Sequence, residues 1–473
     1  MIKLLGKRIK FGGNFVDHKN RVNVFNRGIF SSLFLLSWPI VISNLMQTLY
    51  NAVDAYFLGK LGKIEFSAPT IVWPLIFVFI SLSIGFTQAG VTLVAQFTGA
   101  KDEKNAKKSA GQVLLISIIF GIVLSLVGIM VSRPVITLIA GEESKEVIKY
   151  AVSYFNLIML GLPFGFIFNS ASSILRGWGD SKFTLNIMFI STILNIILDP
   201  ILIFGLLGFP KMGVNGAAIA TTIARILAAV ISLNHLFTGK RGFKITLKCL
   251  KPDFNLIKKV FRIGLPGSIS MTFTSLGFVV IMRFVSSFGP TVISAYGVGN
   301  RIINFITMIS FGIGSSVTTM IGQFLGANDI KNAEKTVKVA FITNFSIVFS
   351  LSALTFFFGG NLTQFFINDP EVIQVGNLFF KFVSFSLPFF TSMTVFTNTL
   401  IGAGRTDLSM IVDITRLWGI RVPLIAILSS RFGFKGLFIA MIISNISALI
   451  LAWLFVKFAN WKKSIIQDKG GKL

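Results

Sequence analysis

The chain has 473 residues, 53% of them hydrophobic and only 13% charged, with a formal net charge of +26 and a mean hydropathy of +0.79. Soluble proteins carry about 25% charged residues, so a water-soluble globule is excluded: no fold of this size hides that much apolar surface. A single cysteine, Cys249, rules out an intramolecular disulfide.

The opening MIKLLGKRIKFGGNFVDHKNRVNVFNR is too polar for a signal peptide, so the first hydrophobic helix is expected to insert the chain and stay. Apolar runs near the ~20 residues that cross a ~30 Å hydrocarbon core recur from there to the end. They predict helices at 33–59, 65–96, 109–131, 151–175, 184–207 and 216–238, and a second set at 260–287, 294–325, 338–359, 374–402, 408–430 and 436–457. The domain plan is a tail 1–32, a first lobe 33–238, a linker 239–259, a second lobe 260–456 and a tail 457–473. With the N-terminus inside, 30 of the 44 Lys and Arg fall in segments on the cytoplasmic side, 8 outside and 6 within helices. This is the positive-inside pattern with both termini cytoplasmic. Orientation and attraction to anionic lipid headgroups account for the charge, so no nucleic-acid partner is implied.

An internal repeat fixes the topology. Gln96-Phe-Thr-Gly-Ala-Lys-Asp-Glu-Lys-Asn-Ala106 returns as Gln323-Phe-Leu-Gly-Ala-Asn-Asp-Ile-Lys-Asn-Ala333, an offset of 227. The same offset aligns Trp38-Pro39 with Leu265-Pro266 and Gly62 with Gly289, while Arg176-Gly-Trp-Gly179 meets Ile401-Gly-Ala-Gly404 at 225. Each copy holds six helices, an even number, so both enter the membrane in the same direction. The expected fold is an all-α integral membrane protein: twelve transmembrane helices in two parallel six-helix lobes around a central cavity, the architecture of alternating access.

The absences narrow the chemistry. There is no phosphate-binding loop to drive the chain with ATP. With two histidines, His18 and His235, one cysteine and scattered acids, no metal cluster or nucleophile–base pair stands out. Ionisable residues inside membrane helices are functional candidates by default, because each costs ~2.5–3.5 kcal/mol to insert. Asn44, Gln47, Asn51 and Asp54 share one face of helix 1; such a stripe serves helix–helix bonding or lines a water-filled cavity. In helix 5, Asn195 lies one turn before Asp199, and Pro200 follows. Pro200 has no N–H, so the Ile196 carbonyl is free to join Asn195 and Asp199 around a cation; the alternative is a proline kink with a capped carboxylate. In the second repeat Asp54 corresponds to Ile281 and Asp199 aligns near Val422, while Asp413 is spaced to pair with Arg416. Ion coupling is therefore expected in the first lobe, with the second mainly shaping the cavity.

These residues resemble the multidrug and toxic compound extrusion (MATE) family over nearly the full length. The likeness rests on the paired Gln-x-x-Gly-Ala loops, Pro39…Gln47…Asp54 in helix 1, Asn195…Asp199-Pro200 in helix 5, and Gly216-Ala-Ala-Ile-Ala-Thr221 in helix 6. It is closest to the DinF-like branch. The resemblance implies an antiporter that expels cationic or amphiphilic small molecules in exchange for Na⁺ or H⁺, with no cofactor and no enzymatic activity. It implies a monomer in the cell membrane, surrounded by lipid. It places the cation site at Asp54, Asn195, Asp199 and Thr221, with Thr222 adjacent. It puts Gln47, Tyr154 and Asn169 on the substrate cavity, where Asn51 of the helix 1 stripe is expected beside them, and makes Pro39 a bending point, with Pro200 expected as a second from its missing N–H. A related-fold rival is a flippase of lipid-linked saccharides, which would use Arg283, Arg301, Arg405, Arg416 and Arg421 to hold diphosphates.

Overall fold

The computed structural model describes residues 21–140 and 145–467. The parts of the predicted tails at 1–20, with His18, and at 468–473 lie outside the described residues.

The first six helices are α1 (Ile29–Gly59), α2 (Lys63–Gly99), α3 (Glu103–Ala140), α4 (Lys145–Trp178), α5 (Lys182–Phe204) and α6 (Val214–Thr238). A linker with one 3₁₀ turn, Leu247–Leu250, leads to α7 (Phe254–Ser286), α8 (Pro290–Gly326), α9 (Ile330–Phe366) and α10 (Pro370–Gly402). Then come α11 (Thr406–Ile414), a π-helical stretch Thr415–Arg421, α12 (Val422–Phe432) and α13 (Lys435–Phe458). Among the described residues eleven helices are long and apolar enough to cross a membrane. The eleventh crossing, expected as one α-helix at 408–430, is instead the α11–π–α12 unit, which brings the total to twelve.

Several helices outrun their hydropathy spans because capping, not apolarity, starts them. Asp102 accepts from the Asn105 N–H at 3.0 Å and Asp329 from the Asn332 N–H at 3.1 Å. These N-caps begin α3 and α9 well before the apolar runs at 109 and 338. At 1.5 Å per residue the 37 residues of α9 extend ~55 Å, so the helix tilts or projects from the bilayer.

The two lobes repeat one packing scheme. In the first, α1 packs on α5, α2 on α4, α3 on α4, α4 on α6 and α5 on α6. In the second, α7 packs on α11, α8 on α10, α9 on α10, α10 on α13 and α12 on α13. Across the interface α1 meets α8 and α2 meets α7, a pair of contacts that a twofold exchanges, while α2 meets its own copy α8. The lobes are parallel and related by a pseudo-twofold axis.

That axis is explicit at the interface. Thr92 Oγ1 donates to the Ile401 carbonyl at 2.8 Å, and its copy Thr319 Oγ1 donates to the Arg176 carbonyl at 3.3 Å. Gln96 Nε2 donates to the Gly402 carbonyl at 2.9 Å, and Gln323 Nε2 to the Gly177 carbonyl at 2.9 Å. Gly99 and Gly326 let the backbones touch, since a Cβ on either would lie 1.9 Å from the Gln323 or Gln96 carbonyl oxygen. We call this set the latch. The predicted C-terminal tail is docked on it: Ser464 Oγ and the Ile465 N–H both donate to Gln96 Oε1, at 2.8 and 3.0 Å.

Among the described residues, the side-chain hydrogen bonds joining α1 and α2 to α7 and α8 run from the latch side to about one turn past the helix midpoints. They are Ser37 with Ser316, Thr48 with Met308, Ser81 with Thr272, and Ser268 with the Leu82 carbonyl. Past Thr48 on α1 and Thr272 on α7 no side-chain hydrogen bond joins these helices among the described residues, so this is the parted side; Asn51 is exposed there, and Gln47 is exposed just before Thr48.

Candidate functional site

In the first lobe α1, α5 and α6 bring the predicted cation ligands together. Thr221 Oγ1 donates to Asp54 Oδ2 at 3.4 Å, and Asn195 Nδ2 donates to Asp199 Oδ1 at 3.1 Å. The two carboxyl groups face each other, with Asn195 also within reach of Asp54. Asn195 and Asp199 are fully buried, at 0% exposure. The remaining oxygens, Asp54 Oδ1, Asp199 Oδ2, Asn195 Oδ1 and the Tyr50 hydroxyl, are buried without a hydrogen-bond partner. Buried polar atoms are nearly always satisfied, and each orphan costs about 1–3 kcal/mol. Four converging orphan oxygens are the chemistry of a site that takes a small cation or a proton.

Of the other predicted residues, Tyr154 of α4 is buried within electrostatic reach of Asp54 and Asp199. Gln47 and Asn51 are exposed and bond each other, Nε2 to Oδ1 at 3.3 Å. Asn169 is half-buried, ~22 Å along α4 from Tyr154 at 1.5 Å per residue. Thr222 turns away, its Oγ1 donating to the Leu157 carbonyl at 3.0 Å. Pro39 and Pro200 lie inside α1 and α5 without interrupting either.

Two members were missed from sequence. Tyr50 precedes Asp54 by four residues, and Arg225 follows Thr221 by four, which puts a guanidinium within electrostatic reach of Asp54. The i, i+4 spacing was the available signal.

The second lobe encloses a cavity of about 560 Å³. Its lining includes Tyr296 and Asn300 of α8, Phe390 of α10, and Asp413, Arg416 and Arg421 of the eleventh crossing; only Phe77 and Gln88 come from the first lobe. The acid cluster does not line it. The expected Asp413–Arg416 ion pair is absent: Asp413 accepts from Ser270 Oγ at 2.8 Å, and the side chains of Arg416 and Asp413 are not within 4.0 Å. The π-helical stretch starting at Thr415 supplies the reason, because an i→i+5 repeat shifts the phase on which i+3 pairing depends. Of the other arginines weighed for a diphosphate, Arg405 forks onto Asp407 at 2.9 and 3.0 Å, and Arg283 and Arg301 are exposed.

A further buried acid lies outside the spans. Asp180, between α4 and α5, caps Phe183 at 3.1 Å and pairs with Arg241 of the linker at 3.4 Å. Burial raises its carboxyl above the ordinary range, and Arg241 opposes the rise.

Two parallel six-helix lobes, with charged groups buried at membrane depth in each, define a membrane transporter rather than an enzyme. A family model described as MatE matches residues 39–201 and 266–427, and the chain belongs to the MatE family. It is 28% identical over 441 residues to the probable multidrug resistance protein YoeA of Bacillus subtilis, covering 92% of this chain and 94% of that one. It is 28% identical to the multidrug export protein MepA of Staphylococcus aureus, covering 90% and 93%. Among solved structures, the Vibrio cholerae MATE transporter VcmN in its bent form superposes with a TM-score of 0.84 at 24% identity, over 91% of this chain and 96% of that one.

Proposed function

We propose that this protein is a secondary antiporter that exports cationic or amphiphilic compounds in exchange for Na⁺ or H⁺, with coupling at Asp54 and Asp199. The observation that carries the reading is the group of four unpartnered oxygens on Asp54, Asp199, Asn195 and Tyr50 in the first lobe. The names of the YoeA and MepA relatives, a probable multidrug resistance protein and a multidrug export protein, support drug export as the activity. With the termini cytoplasmic, as the basic residues argue, the latch closes the cytoplasmic side and the parted ends face outward. The protein then sits in the cell membrane, in the units 33–238 and 260–456, and acts as a monomer.

Carboxylates and neutral oxygens suit a hard monovalent cation, and carboxylates equally accept protons. Either occupant removes negative charge from the first lobe and weakens its hold on a cationic substrate, so the two exchange rather than accumulate. A ligand moves the inward and outward populations only through its differential affinity for them. Closing the cluster around the ion supplies that difference, because closure satisfies oxygens that are otherwise orphaned. Arg225 partly offsets the acids and keeps the empty site from trapping its ion.

The test is transport in proteoliposomes with Na⁺ and pH gradients imposed separately. Asp54→Asn and Asp199→Asn are each expected to abolish gradient-driven efflux while the protein stays folded in the membrane. Wild-type, ion-dependent efflux in either variant removes that residue from coupling, and in both it ends the first-lobe reading.

A further inference from the structure

We propose that the second-lobe cavity binds the anionic group of an amphiphile, a carboxylate, sulfonate or phosphate, between Arg416 and Arg421. Both arginines are only 4% exposed, and both line the cavity. Arg416 makes no hydrogen bond to the protein: its Nε is buried without a partner, and its guanidinium lies 4.9 Å from the Phe390 ring centroid. Arg421 is aimed by neutral oxygens, with Nε donating to Ser444 Oγ at 2.8 Å and Nη2 to Asn445 Oδ1 at 2.6 Å. Those bonds fix its direction without cancelling its charge. The one carboxylate in the lining, Asp413, accepts from Ser270 and acts on Arg416 through space without an ion-pair contact, so it offsets only one of the two positive charges. With two guanidinium groups and one carboxylate, the lining carries a net charge of +1.

The backbone explains how the charges come to share a wall. Residues five apart on an α-helix stand ~140° from each other at 3.6 per turn. The stretch Thr415–Arg421 is π-helical, and its i→i+5 repeat stacks Arg416 above Arg421 on one face. They are close enough for their charges to act on each other. Holding two like charges together at a buried site is unfavourable unless an anion completes it. Around them Met271, Met393 and Met410, with Phe278 and Phe390, give an adaptable apolar wall. The cavity volume of about 560 Å³ suits a drug-sized molecule or one lipid headgroup.

None of these residues belongs to the acid cluster, so the proposal does not depend on the coupling reading. It is tested by equilibrium binding without any ion gradient. The full-length protein in phosphatidylcholine nanodiscs is titrated by fluorescence anisotropy with two dyes on one xanthene scaffold, anionic fluorescein and cationic rhodamine 123. Fluorescein is expected to bind, and Arg416→Gln to weaken it about tenfold or more, as loss of a charge-assisted bond does, with Arg416→Lys restoring part. Rhodamine 123 binding is expected not to weaken in Arg416→Gln. Arg421→Gln should behave likewise; because it also breaks two internal bonds, a thermal melt accompanies it, and Arg416→Gln decides if it unfolds. Equal fluorescein affinity in wild type and Arg416→Gln overturns the proposal, as does parallel loss of both dyes. Replacing part of the phosphatidylcholine by phosphatidylglycerol separates the sources of the anion. Competition that disappears in Arg416→Gln identifies a lipid headgroup, and an unchanged titration identifies a free organic anion.

Discussion

Alanine at Gly99 should force the latch open. Its Cβ would stand 1.9 Å from the Gln323 carbonyl oxygen, where 3.4 Å is ordinary contact, so the backbones must part by about 1.5 Å. The two glutamine bonds, each 2.9 Å, do not survive such a displacement, and the threonine bonds beside them share the same backbones. Four hydrogen bonds at a net ~1 kcal/mol each put the cost near ~4 kcal/mol. That multiplies the ratio of latch-open to latch-closed protein by roughly a thousand. Packed interfaces are bistable rather than elastic, so the expected result is a change of state, not a slightly loosened one. Spin labels at Lys101→Cys and Asn328→Cys, on a Cys249→Ser background, report the latch side, and labels at Ala52→Cys and Val279→Cys the parted side. In Gly99→Ala the first distance should lengthen and the second shorten. A folded Gly99→Ala protein with both distributions unchanged would refute the reasoning.

Arg241→Ala leaves the fully buried Asp180 without its cation and is expected to cost about 3 kcal/mol of stability at neutral pH, read as a lower melting temperature in detergent. Because burial raises the Asp180 carboxyl, its ionisation costs stability as pH rises through that raised value. The deficit should therefore shrink in acid, where Asp180 is protonated in the folded and unfolded chain alike. Arg225→Gln removes the cation nearest the acid pair and should tighten coupling-ion binding several-fold while slowing turnover, measured as an opposite change in apparent affinity and maximal efflux rate. Ser464→Ala deletes one of two bonds from the C-terminal segment to Gln96, and about 1 kcal/mol less closure should appear as a modest growth of the longer 101–328 distance.

Much of this molecule was legible in its sequence, and the failures have physical causes. The duplicated Gln-x-x-Gly-Ala loops gave the parallel repeat, because identical residues at a fixed offset must adopt equivalent roles. Helix lengths were underestimated because hydropathy reports contact with lipid, whereas Asp102 and Asp329 start their helices in the aqueous loops. In the first-lobe cluster, Asp54, Asn195 and Asp199 were singled out by charge and spacing, and Thr221 by the family resemblance. The polar stripe drew attention to Gln47 and Asn51 instead of Tyr50, since helical spacing tells which residues share a face but not what that face meets. The π-helical stretch left no local mark in Thr-Arg-Leu-Trp-Gly-Ile-Arg. The pairing assumed for Asp413 and Arg416 followed from reading that stretch as an ordinary helix.

The latch has a consequence for how two copies of one ancestral half age together. Every latch bond joins a side chain of one copy to the backbone of the other, so Thr92 and Thr319, Gln96 and Gln323, and Gly99 and Gly326 each work against the same partner surface. A change in one copy spoils the fit for both, and these six positions hold the same three residue types twice over. Away from the axis no such tie exists. There Asp54 stands where the other copy has Ile281, and the second copy has placed two arginines in a cavity of its own. Inheritance is held at the joint and variation is released into the chambers, so one duplicated frame can keep a single stroke while its halves acquire opposite charge.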